Sequence, residues 1–196
     1  MQEYRSLVER LSRSLYPLRD GLTEEVLARA KRECRVPSAV LVVIHLTYNK
    51  PSIILCKRSS NLKNHANQIS FPGGVYKVSD GDLLVTALRE CREEIGISIG
   101  GKDIIGHMDV VNTLSSNFMI LPFVALLYTI DSINPNSSEI DEIIDADMHE
   151  LLSSISDDHE HYTYAGAYKF VYRGYTVWGA TARILKMLME MIYSSS

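Results

Sequence analysis

The spacing of apolar positions changes character along this chain, and each change marks an element. Residues 3–16 carry Leu7, Val8, Leu11 and Leu15 at helical spacing, and Pro17 closes the run. Thr23 reads as the N-cap of a second helix, with Glu24 and Glu25 in its first turn and an end near Lys31. From Val36 the period shifts. Residues 39–44 are a continuous, β-branched apolar run, which predicts a buried strand. Asn49-Lys50-Pro51 predicts a turn, and residues 52–56 the returning strand of a hairpin. Residues 61–67 are polar and loop-like, and 68–71 form a short strand that leads into Pro72-Gly73-Gly74.

Helical spacing returns over 83–95 and stops at Gly96, where a left-handed residue commonly ends a helix. Residues 103–114 and 118–130 read as strands around Ser115-Ser116-Asn117, with a loop over 131–138. A strand over 140–146, a short helix over 148–153 and a polar loop over 154–162 follow. Segments 164–170 and 171–178 predict a last hairpin. Residues 180–192 predict a terminal helix with Ile184, Leu185, Leu188 and Met191 inward. The order predicts an α+β fold, a mixed and mostly antiparallel sheet with helices packed on it. Residues 1–35 form a helical appendage to a domain over 36–196.

At about 100° per residue, Glu90, Glu93 and Glu94 share one face of helix 83–95, while Leu84, Ala87, Leu88, Cys91 and Ile95 share another. Clustered carboxylates repel unless a positive charge sits among them. Arg89 and Arg92 offset part of that repulsion. A hard divalent cation, Mg2+ or Mn2+, would offset more. The plain alternative is a solvated acidic face. The double glycine ahead of the helix shifts the balance toward a site.

Composition narrows the function. The formal net charge of −4 argues against a nucleic-acid binder, though a local basic patch for phosphates stays open. Cys34, Cys56 and Cys91 lack C-x-x-C spacing, which suits reduced thiols in a cytoplasmic protein, Cys91 in the core. No apolar run is long enough to span a membrane, and charges at Glu3, Arg5, Glu9 and Arg10 interrupt any signal-like segment. The C-terminal Tyr-Ser-Ser-Ser is not a peroxisomal address.

The stretch from Gly74 to Ile97 resembles the Nudix box, G-x5-E-x7-R-E-U-x-E-E-x-G-U. Arg89, Glu90, Cys91, Glu93, Glu94, Gly96 and Ile97 fill its second half in register. The interval from Gly74 to Arg89 is one residue longer than the pattern, and Asp80 stands for its early glutamate. Both departures resemble the coenzyme A pyrophosphatase-like subfamily. So does the upstream run Ile54-Leu55-Cys56-Lys57-Arg58-Ser59, then Lys63, Asn67 and Phe71-Pro72-Gly73-Gly74. Lys63 stands where that signature has Arg. Asn67 stands where it has Gly, and Asn tolerates a left-handed backbone well. Asn136 to Ile140 and the run from Val177 to Leu185 extend the resemblance to about residues 36–190.

The resemblance implies the Nudix fold, a mixed sheet sandwiched between helices, and hydrolysis of a small nucleoside diphosphate derivative. It implies Glu90 and Glu94 as main metal ligands, Glu93 as a further ligand or the general base, the Gly74 carbonyl as a backbone ligand, and Arg89 as the residue that orients them. Glu139, with Glu142 as alternative, is a second candidate base. Lys57, Arg58, Lys63 and Gln68 are candidate substrate contacts, as is the loop from His65. His159 and His161 read as solvated loop, His45 and His107 as structural. The leading reading is Mg2+- or Mn2+-dependent cleavage of coenzyme A or its thioesters to 3′,5′-ADP and (acyl-)4′-phosphopantetheine. ADP-ribose, a dinucleoside polyphosphate or a nucleoside triphosphate is the competing substrate. A nucleotide-binding Nudix domain without turnover is the competing class. Monomer and homodimer both stay open.

Overall fold

A computed structural model describes residues 2–47, 50–61, 65–130, 132–162 and 167–193, with side chains from Ser6 onward. Its centre is strand β1 (Val36–His45), fully buried from Leu41 to Ile44. It runs parallel to β7 (Phe118–Leu127), paired from Val36–Phe118 to His45–Leu127. Strands β5 (Ile104–His107) and β6 (Val111–Asn112) lie antiparallel on the far side of β7.

The other side of β1 is forked. Its end pairs with β2 (Ser52–Arg58) through Ile44–Ile53 and His45–Ser52, which is the expected hairpin. Its start pairs with β4 (Gly73–Val75). Strand β3 (Ile69–Ser70) pairs with the far end of β2, at Cys56 and Lys57. So β1 and β2 part beyond the hairpin, and the β3–β4 connection, Phe71-Pro72, fills the fork. Pro72 accepts a hydrogen bond from Leu41 N at 2.9 Å. Strand β8 (Ile140–Asp147) pairs along β2 and closes that edge.

Two-residue alternation divides β1 and its neighbours between two cores. Val42, Ile44, Ile53 and Leu55 face helices α1 (Gln2–Ser14), α4 (Met148–Ser153) and α5 (Gly179–Tyr193). Leu41, Val43, Ile54 and Phe123 face α2 (Leu22–Arg32) and α3 (Leu83–Ile95). A sheet covered on both faces explains why 39–44 reads as an unbroken apolar run. The fold is therefore α+β, a mixed sheet between helices. Arg10 Nη1 donates to Ile192 O at 2.8 Å, tying α1 to α5.

Several expected elements differ in detail. Thr23 is not the N-cap of α2. Gly21, left-handed at φ 79°, holds that position, and Thr23 is buried inside the first turn. Its hydroxyl donates to Asp82 Oδ2 at 2.9 Å and accepts from Leu83 N at 3.1 Å, so it serves α3 instead. The strand expected over 103–114 is broken into β5 and β6. Part of the loop expected over 154–162 is strand β9 (Ile155–Asp157), which pairs with β10 (Tyr168–Tyr172). The last hairpin turns at Arg173-Gly174, both at positive φ, and returns as β11 (Tyr175–Val177). Asn49 of the expected turn and the 164–166 start of that hairpin lie outside the described residues.

Candidate active site

Helix α3 carries the chemistry. Asp82 caps it by accepting from Leu84 N, and left-handed Gly96 ends it at φ 75°. The fork in the sheet brings the β4 backbone against its carboxylates. Gly73 N donates to Glu94 Oε2 at 3.0 Å. Gly74 abuts Glu90 so closely that a Cβ there would meet the Glu90 carboxyl carbon at 2.6 Å. A side chain at 74 would displace the Glu90 carboxylate, because the backbone and that carboxylate share the space.

Glu94 is 2% exposed. Burial pushes its carboxyl up to about 7, against the pull of the Gly73 N–H and Arg58, and Glu90 and Glu139 push the same way as burial. Arg58 Nη1 reaches Glu94 Oε1 only at 3.4 Å. This long ion pair does not offset the burial of the acid.

Arg89 takes up the other acids. Its Nε and Nη2 donate to Asp80 at 2.9 and 3.0 Å, and its Nη1 donates to Glu90 at 2.6 Å and Glu93 at 2.9 Å. These bonds hold the Asp80 carboxyl down to about 2. They also orient Glu90 and Glu93. Asp80, which stands where the general box has glutamate, is thereby the anchor of Arg89.

The floor opens into a cavity of about 450 Å3. Glu90, Glu94, Glu139, Arg58, Gln68 and Gly74 all border it. Ser38 Oγ, Ser70 Oγ and Arg58 Nε, on residues that line it, are buried without a hydrogen-bond partner among the described residues. Asn67 adopts φ 61°, the left-handed backbone its residue type accommodates.

Other candidates lie elsewhere. Glu93 is 48% exposed on its side chain and faces Arg89. Lys57 stands 4.0 Å from Glu142, and Glu142 also accepts from the Tyr175 hydroxyl; neither residue borders the cavity. Lys63 lies outside the described residues. His45 Nε2 lies 2.9 Å from Asp145 Oδ1, and His107 stacks on Tyr16. Burial pushes the Cys91 thiol up to about 12, so it is an inert core group. His161 is not simply solvated: it stacks on Trp178 at 4.2 Å.

Some lining residues were not identified from the sequence as site residues. Thr113 to Ser116, Tyr162 and Trp178 to Thr181 close the cavity from segments remote from the box. The W-G-A-T run, quoted above as part of the resemblance, was the available signal for the last of these.

The residues fit a hard divalent ion in one respect and resist it in another. Among the described residues no ready-made cluster of three His, Cys, Asp or Glu ligands is formed, and Arg89 engages both Glu90 and Glu93. Glu90 at the Cβ-free Gly74 and the buried Glu94, whose carboxyl burial pushes up, supply oxygen donors of the type such an ion takes.

A mixed sheet forked to seat a double glycine on an acidic helix at a cavity defines a hydrolase-type site. The NUDIX domain family model matches residues 36–165, and the chain belongs to that family as a Nudix hydrolase. It is 32% identical over 159 residues to Nudix hydrolase NudL of Photorhabdus laumondii, covering 79% of this chain and 84% of that one. It is 30% identical over 193 residues to mitochondrial coenzyme A diphosphatase NUDT8 of Mus musculus, covering 89% and 91%. The MutT/nudix family protein of Enterococcus faecalis shares the fold, with a TM-score of 0.60 at 12% identity, over 99% of this chain and 74% of that one. Divalent-metal use is general in the family. No helix among the described residues is long and apolar enough to cross a membrane.

Proposed function

We propose that this Nudix hydrolase cleaves the diphosphate of coenzyme A or its thioesters, releasing 3′,5′-ADP and (acyl-)4′-phosphopantetheine. The observation that carries the reading is the seating of Gly73 and Gly74 on Glu94 and Glu90 at a cavity bordered by Arg58 and Gln68. Arg58, Gly73 and Gly74 belong to the run that resembles the coenzyme A subfamily signature, and the similarity to the mouse coenzyme A diphosphatase supports the same substrate.

In this reading Glu90, Glu94 and the Gly74 carbonyl hold Mg2+ or Mn2+, which would neutralise charge on the diphosphate oxygens. Arg89 keeps Glu90 and Glu93 in position, and Asp80 keeps Arg89. Glu139, on the cavity wall, takes the proton of the attacking water; Glu142 is engaged by Tyr175 instead. Arg58 and Gln68 contact the substrate phosphates, with Lys57 and Lys63 adding positive potential nearby. The enzyme acts on a small nucleotide in the cytoplasm and needs neither nucleic acid nor membrane.

The test is a panel of coenzyme A, acetyl-coenzyme A, ADP-ribose, diadenosine tetraphosphate and a nucleoside triphosphate, compared by kcat/KM with Mg2+ and with Mn2+. Preference for the coenzyme A species supports the proposal. Preference for any other member replaces its substrate. No turnover of any of them argues for a binding domain.

A further inference from the structure

One wall of the cavity is aromatic, and its construction is unlike the polar floor. Trp178 and Tyr162 both border the cavity. Behind Trp178 lies His161, with ring centroids 4.2 Å apart and planes within 12°. Tyr162 meets the indole edge-on, at 6.3 Å and 69°. His161 therefore stacks on the indole, Tyr162 stands steeply inclined to it, and the indole itself borders the cavity.

The backing is itself fixed. Asp158 is 0% exposed, an unusual position for a carboxylate in a surface segment. It accepts from Glu160 N at 3.2 Å, from His161 N at 3.1 Å and from His161 Nδ1 at 2.9 Å. Asp158 N in turn donates to Ala167 O at 2.9 Å. A buried carboxylate that takes both backbone and ring N–H groups of one histidine locks its imidazole plane. An indole stacked on a fixed imidazole and bordering a cavity is a preorganised stacking surface.

We propose that Trp178 is the platform on which the adenine base of the nucleotide substrate stacks, with His161 as its positioning residue, held by Asp158. This rests on the proposed reaction for the identity of the nucleotide, not for the stacking itself. A planar, rigid face suits a planar base; a flexible pantetheine or acyl arm gains little from it. Stacking of a base on an aromatic side chain accounts for roughly tenfold or more in binding.

Trp178 is the chain's single tryptophan, so its fluorescence reports on this surface alone. The full-length protein is titrated with AMP, 3′,5′-ADP, 4′-phosphopantetheine and inorganic pyrophosphate, with calorimetry run alongside. Saturable quenching by AMP and 3′,5′-ADP, absent with phosphopantetheine and pyrophosphate, is expected. His161→Ala is expected to raise KM about tenfold with kcat within twofold, and Trp178→Phe to recover most of the affinity lost in Trp178→Ala. Calorimetric binding of an adenine nucleotide without quenching overturns the proposal. So do quenching by phosphopantetheine alone, and failure of every adenine nucleotide to bind. Hydrolysis of coenzyme A without quenching by its adenine product overturns the platform and leaves the reaction standing. Quenching by adenine nucleotides without hydrolysis of coenzyme A does the reverse.

Discussion

Arg89 grips Asp80 through two parallel hydrogen bonds, Nε to Oδ1 at 2.9 Å and Nη2 to Oδ2 at 3.0 Å. Its third nitrogen, Nη1, is left for Glu90 and Glu93. The aspartate thereby sets the position of both glutamates without touching either. Asp80→Asn keeps the shape but weakens the fork. We expect kcat to fall by about tenfold to a hundredfold with KM little changed, because the affected residues lie on the catalytic helix rather than the substrate wall. A matching rise in KM at constant kcat would contradict this placement.

The same pair sets an acid limit on stability. The Asp80 carboxyl is held at about 2, below its ordinary 3.8, chiefly by the hydrogen bonds from Arg89. A depressed folded-state value means that this stabilisation is present above about pH 3.8 and is lost as pH falls toward 2. Both side chains are largely covered, and a drop of this size corresponds to roughly 2 kcal/mol. Thermal unfolding should show the native protein above Asp80→Asn by a few degrees at pH 5, with the gap closing between pH 4 and pH 2. A gap that widens in acid would reverse the sign.

Glu94 behaves oppositely. Burial raises its carboxyl to about 7, so in metal-free protein its contribution is favourable at low pH and is lost as pH rises from about 4.5 through 7. Metal-free Glu94→Gln should therefore unfold at an equal or higher temperature than the native protein at pH 8. It should also lose hydrolysis. Mn2+ or Mg2+ should raise the native melting temperature and leave that of the variant unmoved. Full turnover by the variant, or an unchanged metal response, would place the ion elsewhere.

The two adjacent glycines should fail differently. A Cβ at Gly74 meets the end of the Glu90 side chain, which can swing away. Gly74→Ala is expected to keep its circular dichroism spectrum and lose about a hundredfold or more in kcat as Glu90 is displaced. A Cβ at Gly73 meets Ala39 O at 2.4 Å and Val40 Cα at 2.6 Å, backbone atoms of the central strand. Gly73→Ala should lower the melting temperature sharply. Equal stability for the two variants would mean that the fork tolerates more room than it has.

The elements built from local periodicity were legible in the sequence. Helix 83–95 has the bounds its apolar spacing predicts, and 39–44 lies within the buried central strand. Glu94 was not legible as a buried group. Counting around the helix places it with Glu90 and Glu93 on a polar face, and only the fork in a distant sheet covers it with Gly73. Thr23 misled for the same reason: its hydroxyl serves a cap 59 positions away in the chain. Beyond the motif run that contains Trp178, nothing local in the sequence signals that it stacks on His161. They meet because β9, β10 and β11 form a separate small sheet that returns the chain to the box.

The central claim is tested most directly by identifying the products formed from coenzyme A by the full-length protein with Mg2+ and with Mn2+. Chromatography with mass detection should show equal amounts of 3′,5′-ADP and 4′-phosphopantetheine, with neither formed by Glu94→Gln. Intact coenzyme A after extended incubation with an enzyme that turns over another nucleoside diphosphate would contradict the claim.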